Sequence, residues 1–326
     1  MSEIERRKFL LAGGALLAAP LARGQPAGKV YRIGVLSPGF PPPGLLEAFR
    51  DGLRDLGYIE GKTVAIEWRF AEGRNERLAA LADALVRLKV DVIFAVNTPA
   101  AQAAKKATTS IPIVIARLAD PVGTGLVPSI SRPGGNITGL SSITDEVAVK
   151  RLEFLKEILP GLSRVAALWN AGNPGARNVV RVIERAAPSL GLQLQLVPVR
   201  APSDFDGAFE AAIGGRAEAL FVVDDVLVTT HKVQFLSLAA KHSLPVVASY
   251  EEFAKAGALM TFGTSVPYEY RRAAYFVDRI LKGARPADLP IEQPTKFLYV
   301  INLKTAKALR LNIPQSVLVR ADEVIE

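Results

Sequence analysis

The sequence repeats one pattern of apolar runs and helix-like segments, and the second copy begins about 130 residues after the first. In the first copy the apolar run 33–37 is followed by the helix-like segment 45–56; in the second, 165–169 is followed by 179–190. Each helix-like segment ends in Leu-Gly and leads into a further extended run. Alternating strands and helices favour a parallel sheet covered on both faces. The duplication therefore predicts two such lobes facing each other across a cleft.

Later segments extend both copies. The run 91–97 is answered by 218–224, and 111–115 is answered by 244–248. Between the copies, 120–144 is rich in Pro and Gly, and we interpret it as a loop that crosses between lobes. The predicted fold class is α/β, with two Rossmann-like lobes whose parallel sheets are joined by a hinge. Lobe one is assigned to 30–138 plus about 263–296, and lobe two to 139–262 plus about 297–326.

Composition excludes several classes of site. The chain has 326 residues, 49% hydrophobic and 22% charged, which excludes a disordered protein. It has no cysteine, which excludes disulfides, thiolate metal sites, a cysteine nucleophile and a lipid-modified N-terminal cysteine. His231 and His242 are eleven residues apart and do not form the usual metal-binding pair. Phosphate-binding, dinucleotide and hydrolase motifs are absent. The expectation is a binding protein with no metal, cofactor or enzymatic activity.

Residues 1–24 have the pattern of an export signal. Glu5-Arg-Arg-Lys-Phe-Leu10 is a charged start with paired arginines, and the apolar stretch after it is too short to span a bilayer. The pattern resembles a twin-arginine signal, with an ordinary secretory signal as the alternative. Cleavage is expected before Gln25. Either route predicts a periplasmic protein without a lipid anchor.

The net charge does not indicate nucleic-acid binding. The formal charge is +8, but Arg6, Arg7, Lys8 and Arg23, less Glu3 and Glu5, contribute +2 and leave +6. The remaining basic residues are scattered and often adjoin acidic ones, as on solvated helix faces. We therefore exclude nucleic acid as a partner.

Ligands of open parallel sheets bind beyond the carboxyl ends of the strands, where helix N-termini favour anionic groups. The two copies place candidate ligand-binding residues at matching strand ends. Arg117, Asp225 and Ser249 lie at the same ends. The predicted ligand-binding residues are Ser37, Phe40, Asn97, Thr98 and Asp120 from lobe one, and Asn170, Asp224 and Tyr250 from lobe two.

Three of these positions admit a second interpretation. Phe40 either stacks on a ligand or covers the core. Asn97 caps the helix that begins at Thr98-Pro99, and that helix end either also holds an anion or is only capped. A helix N-cap needs only one carboxylate, and Asp224 and Asp225 supply two. The second carboxylate therefore either faces the cleft or is exposed to solvent. Asp224→Ala is expected to weaken ligand binding with little loss of stability.

Several motifs together resemble a known family. They are Leu56-Gly-Tyr-Ile-Glu-Gly61, Thr98-Pro-Ala-Ala101, Asp120-Pro-Val-Gly123, Pro133-Gly-Gly-Asn-Ile-Thr-Gly139 and Asn302-Leu-Lys-Thr-Ala306. Over essentially the whole chain after residue 24, the sequence resembles an ABC transporter substrate-binding protein, in the branch related to tryptophan- and tyrosine-binding components. The resemblance implies a type I periplasmic binding fold. It also implies that the protein closes on a small ligand and delivers it to an ABC permease in the inner membrane. We expect a monomer.

The resemblance also concerns the pocket. It implies that the Thr98 helix start and the Asp120 loop face Asn170 and Asp224 across the cleft. The first loop departs from the amino-acid-binding members, since Phe40-Pro-Pro-Pro43 replaces their usual polar segment. An amino acid and an aromatic or other organic acid are therefore both open as ligands. Two other functions also stay open: an exported cofactor-dependent oxidoreductase, and the ligand-sensing subunit of a signalling system.

Overall fold

The computed structural model describes residues 29–142, 144–295 and 297–326, without the side chains of Thr144 and Asp145. Tyr31–Glu326 form one compact unit. The predicted export signal, 1–24, lies outside the described residues. Among the described helices, none combines the length and apolar character needed to cross a membrane.

The first copy of the pattern folds into a five-stranded parallel sheet with strand order β2-β1-β3-β4-β5. Apolar side chains fill both of its faces, as the near-continuous Val/Ile/Leu runs require. Its strands are β1 (Tyr31–Ser37), β2 (Val64–Phe70), β3 (Val92–Val96), β4 (Ile113–Ala119) and β5 (Ile137–Ser142). Its helices are α1 (Pro43–Asp55), α2 (Leu78–Arg87) and α3 (Thr98–Ala107).

The second copy forms a seven-stranded sheet with strand order β12-β11-β10-β9-β8-β6-β7, parallel except between β10 and β11. Its strands are β6 (Arg164–Asn170), β7 (Gln193–Val199), β8 (Ala219–Val222), β9 (Val246–Ala248), β10 (Met260–Gly263), β11 (Leu298–Asn302) and β12 (Glu323–Ile325). Its helices are α4 (Thr144–Ile158), α5 (Pro174–Ala186), α6 (Phe205–Gly214), α7 (Val226–Thr230), α8 (Lys232–Lys241) and α9 (Glu251–Lys255), with α10 (Val266–Leu281), α11 (Leu303–Ala308) and α12 (Gln315–Leu318) following. The order 7-6-8-9-10 repeats the order 2-1-3-4-5, which confirms the predicted duplication and the α/β fold class.

The chain passes between the sheets three times: after β5, after β10 and before β11. Helix α10 therefore returns to the first sheet, where Tyr270 packs edge-on against Phe94 of β3. It also crosses α1 so closely that a Cβ on Gly52 would stand 2.7 Å from the carbonyl oxygen of Arg271. The predicted lobe boundaries and the hinge remain predictions, since the described residues form a single unit.

The predicted crossover loop 120–144 contains a strand that the sequence pattern did not indicate. Strand β5 lies there and pairs with β4 through a β-bulge between Ile115 and Leu118. The bulge requires a glycine opposite it: Gly139 has φ +130°, and a Cβ there would stand 2.3 Å from the oxygen of Ile115. The Gly139 that ends the Pro-Gly-Gly motif thus has a structural role. Glycine, serine and threonine interrupt the apolar residues of β5, so apolar periodicity could not reveal this strand.

Candidate functional site

Polar side chains from the carboxyl ends of both sheets enclose one small cavity. Its volume is about 20 Å³, close to that of a single water site. The first half of the chain contributes Asn97, Arg117, Ala119 and Ser142; the second half contributes Asn173, Ala176, Val179, Asp224, Asp225 and Tyr250. We name it the polar cavity.

Asp225 joins the two halves. It caps α7 by accepting from the Leu227 backbone N–H at 2.8 Å. The same carboxylate accepts from three side-chain amides: Asn170 at 2.8 Å, Asn173 at 2.7 Å and Asn97 at 3.4 Å. Two carboxylate oxygens offer about four acceptor positions, so this carboxylate is saturated. It is only 5% exposed, and the amides replace the water it has lost.

The first turns of α3 and α5 meet across the polar cavity. Asn97 has φ +74°, and its Oδ1 accepts from Thr98 N–H at 2.7 Å and from Asn173 Nδ2 at 3.2 Å. The Thr98 hydroxyl faces Gly175, where a Cβ would stand 2.5 Å from Thr98 Oγ1. Only a residue without a side chain fits between the two helix starts.

Asp224 forms an ion pair within the second half. Its Oδ2 lies 3.4 Å from an Nη atom of Arg151 and also accepts from the Ser249 hydroxyl. Arg151 is fully buried and also donates to the carbonyl oxygen of Val222 at 3.1 Å. Burial lowers the pKa of the Arg151 guanidinium, and Asp224 opposes this shift. Asp224 is thus the counter-charge of a buried cation.

Arg117 reaches the cavity from the bulge in β4. Its guanidinium lies 4.5 Å from the ring centre of Tyr250, and it donates to Thr229 Oγ1 at 3.4 Å. Burial alone would lower the pKa of this guanidinium, but Tyr250, Tyr270 and Glu269 outweigh burial and raise it. Burial raises the pKa of Tyr250 and of Glu269. Arg117 therefore stays charged inside the protein.

A second, more apolar cavity of about 150 Å³ shares Asp225 with the polar cavity. We name it the Phe40 chamber. Phe40 is 53% exposed and leans on Phe70, with 4.9 Å between ring centres. His231 also lines the chamber, and burial lowers its pKa. The chamber is lined by Pro38, Gly39, Phe40, Glu72, Gly73, Asn75, Asn170, Asp225, Val226, Leu227, Thr230 and His231.

The structure brings together most of the predicted site residues. Asn97, Asp224 and Tyr250 line the polar cavity, and Phe40 and Asn170 line the Phe40 chamber. The other three lie outside both cavities. Ser37 and Thr98 are fully buried with hydroxyls that bond no described atom, and Asp120 lines a separate, open cavity of about 590 Å³. There its carboxylate accepts from Gly123 N–H at 2.7 Å and from Asn178 Nδ2 at 3.0 Å.

Sequence reasoning missed Asn173, Arg151 and Ser142. Asn173-Pro174 repeats the Asn-then-Pro helix start of the first copy, so the duplication could have revealed Asn173. Arg151 and Ser142 carry no such signal, because their roles depend on tertiary packing: Arg151 meets Asp224 within the second half, and Ser142 lines the polar cavity between the halves. The described residues contain no group of three or more His, Asp or Glu positioned to hold a metal.

Comparisons with known proteins agree with this geometry. The family described as ABC transporter substrate binding protein matches residues 44–325. A tyrosine-binding protein of Clostridioides difficile is 28% identical over 264 residues, covering 81% of this chain and 75% of that protein. The crystal structure of an ABC domain in complex with L-Trp from Streptococcus pneumoniae superposes with a TM-score of 0.82 at 27% identity, covering 90% of this chain and all of that one. The crystal structure of a conserved domain protein of Vibrio cholerae superposes with a TM-score of 0.85 at 29% identity, covering 91% of this chain and 100% of that one. These likenesses confirm the predicted type I periplasmic binding fold.

Proposed function

Because the chain belongs to the ABC transporter substrate-binding protein family, we propose that it closes its two lobes on a small organic ligand and delivers that ligand to a membrane permease. The observation that carries this proposal is the polar cavity, whose walls come from both halves of the chain. A ligand held by groups from both lobes contacts all of them only when the lobes are closed. Its binding therefore shifts the population toward the closed form.

The ligand we propose is an amino acid with an aromatic side chain or a related aromatic acid. Two relatives support the amino-acid class, one named for tyrosine and one bound to L-Trp. The Phe40 chamber supports an aromatic group, because an apolar cavity of about 150 Å³ accommodates one benzene-sized ring. Phe40, in the first loop where the sequence differs from the amino-acid-binding members, would then form an aromatic wall of the ligand site.

We place the protein outside the cytoplasmic membrane, as a periplasmic monomer that acts beside its permease. The twin-arginine-like pattern in residues 1–24 supports export, and the absence of cysteine argues against a lipid anchor. The lobes we propose follow the sheets, with α10 assigned to lobe one because it packs there.

A thermal-shift screen followed by calorimetry tests the proposal. The screen should contain the common amino acids, aromatic acids, small carboxylates, sugars and polyols. At 100 times its Kd a ligand stabilises the folded state by about 2.7 kcal/mol, which raises the Tm by roughly 5 °C. We expect such a shift with an aromatic amino acid or acid, and no turnover of the bound compound. No shift with any compound would count against the proposed function, and a shift only with sugars would overturn the ligand class.

A further inference from the structure

We infer that Arg117 is the anion receptor of the cleft, so that the ligand carries a carboxylate or an equivalent anionic group. This inference rests on the proposed function, because it concerns the ligand that the lobes enclose. It assigns one chemical group of the ligand to one side chain of the polar cavity.

The backbone at Arg117 is strained in a way that directs its side chain. Arg117 has φ +55°, a conformation that costs a side-chain-bearing residue free energy, and it lies in the β4 bulge. Bulges commonly re-aim one side chain near a binding site. Here the bulge carries the guanidinium into the polar cavity and under the ring of Tyr250.

Among the described residues, no carboxylate forms an ion pair with the Arg117 guanidinium, although Arg117 is only 8% exposed. The buried Glu269 instead accepts a hydrogen bond from the backbone N–H of Arg117 and raises the pKa of its guanidinium through space. Arg151 provides the comparison, since it too is buried but bonds both the Asp224 carboxylate and the Val222 carbonyl oxygen. A buried charge normally requires a paired and hydrogen-bonded partner. At Arg117 the open side faces the cavity, where a ligand anion would complete the pair.

The contacts of Arg117 also connect anion binding to closure. The arginine belongs to the first sheet, whereas Tyr250 and Thr229 follow strands of the second. An anion on Arg117 would thus lie at the contact between the halves. From there the remainder of the ligand can extend past Asp225 into the Phe40 chamber, since both cavities border that residue.

The test compares each acid with its own neutral amide. Calorimetry is carried out with L-phenylalanine, L-tyrosine, L-tryptophan, 4-hydroxyphenylacetate and benzoate, each paired with its primary carboxamide. We expect the acid that binds best to bind on the order of 100-fold more tightly than its amide, as for truncation of a buried charge pair. The variants are Arg117→Gln and Arg117→Lys, and the control is Arg177→Gln, which removes an exposed arginine lying 5.6 Å from the Trp169 ring.

Arg117→Gln should weaken the acid about 100-fold and the amide only slightly, so that the two ligands bind alike. Arg117→Lys should recover part of the affinity for the acid, and Arg177→Gln should leave the preference unchanged. A purely structural role for Arg117 would instead weaken acid and amide equally.

Three results would overturn the inference. The first is an amide that binds wild type as tightly as its acid. The second is an equal loss for both ligands in Arg117→Gln. The third is that no acid binds and mass spectrometry finds no anionic compound released from the purified protein. If amides, sugars or polyols still bind, the inference fails while the proposed role as a solute-binding component stands.

Discussion

At the residue scale, the site consists of buried charges with very different partners. Asp225 is saturated by four donors, and Asp224 balances Arg151. Arg117 borders the polar cavity, and among the described residues no carboxylate forms an ion pair with its guanidinium. Sequence spacing could nominate Asp224 and Asp225, because polar residues that end buried strands are conspicuous. It could not divide their roles, since the side-chain partners of Asp225 come from two other segments of the chain, one at Asn97 and one at Asn170 and Asn173.

The first prediction concerns Asp224 and replaces the expectation from sequence. Asp224→Ala leaves the buried Arg151 charge without its partner, which should lower the free energy of unfolding by about 3 kcal/mol as well as weaken ligand binding. Denaturant unfolding and calorimetry measure the two effects. The control is Asp224→Ala combined with Arg151→Met, which should recover stability because no unpaired charge remains. A single variant that unfolds at the wild-type denaturant concentration would contradict the ion-pair argument.

The second prediction concerns alkaline pH. Burial, followed by the hydrogen bond that Tyr58 donates to Asp278, raises the pKa of Tyr58 from 10.0 to about 12. The folded state therefore holds this proton more tightly than the unfolded state, so this contribution is intact below pH 10 and is lost as the pH rises toward 12. Burial raises the pKa of Tyr250, Tyr270 and Tyr299 as well, so the whole chain should lose stability in this range. Unfolding midpoints measured between pH 9 and 12 should fall less steeply in Tyr58→Phe; an unchanged slope would speak against the assignment.

At the element scale, the duplicated strand–turn–helix unit positions the site. The two copies bring the starts of α3 and α5 together, and each start is capped by an Asn that precedes a Pro. The sequence predicted most of the strands and helices because their apolar runs are long and regular. It missed β5, where glycine, serine and threonine interrupt the apolar pattern, and it gave no indication that α7 and α8 are separate helices.

The third prediction concerns closure at Gly175. Gly175→Ala places a methyl group 2.5 Å from Thr98 Oγ1, so the helix starts can no longer meet. Ligand affinity should fall by at least about tenfold, which corresponds to about 1.4 kcal/mol. The Tm without ligand should not fall, because alanine favours helix and the open form has room for its side chain. The control is Gly207→Ala in α6, where the added Cβ meets no atom of another segment within 4 Å. Full affinity in Gly175→Ala would show that the lobes need not approach this closely.

At the scale of the whole molecule, the closure we propose would bring together surfaces that lie far apart in sequence. Gly39 meets α7 at the mouth of the cleft, where an added Cβ would stand 2.9 Å from a methyl of Val226. Duplicated periodicity predicted that two such surfaces exist. It could not predict their closest contacts, which depend on the orientation of one sheet relative to the other.

The fourth prediction uses the absence of cysteine from the sequence. In Gly39→Cys combined with Val226→Cys, the two residues are close enough in the closed form for a disulfide, whose Cβ atoms lie about 3.8 Å apart. Oxidation should lock the lobes together, and association of added ligand should slow by orders of magnitude until a reductant is added. Each single variant is the control. If the oxidised double variant binds ligand at the rate of the reduced one, the lobes do not open at this mouth.

The return of α10 to the first sheet has a consequence for synthesis on the ribosome. Roughly 120 residues separate the end of β5 from the start of α10. At a synthesis rate of 5–20 residues per second, the apolar surface that α10 covers therefore stays exposed for on the order of 10 s. The early half of the nascent chain is therefore the half that most needs protection from aggregation. Slowing translation between the two elements would lengthen that exposure without altering a single residue of the finished protein.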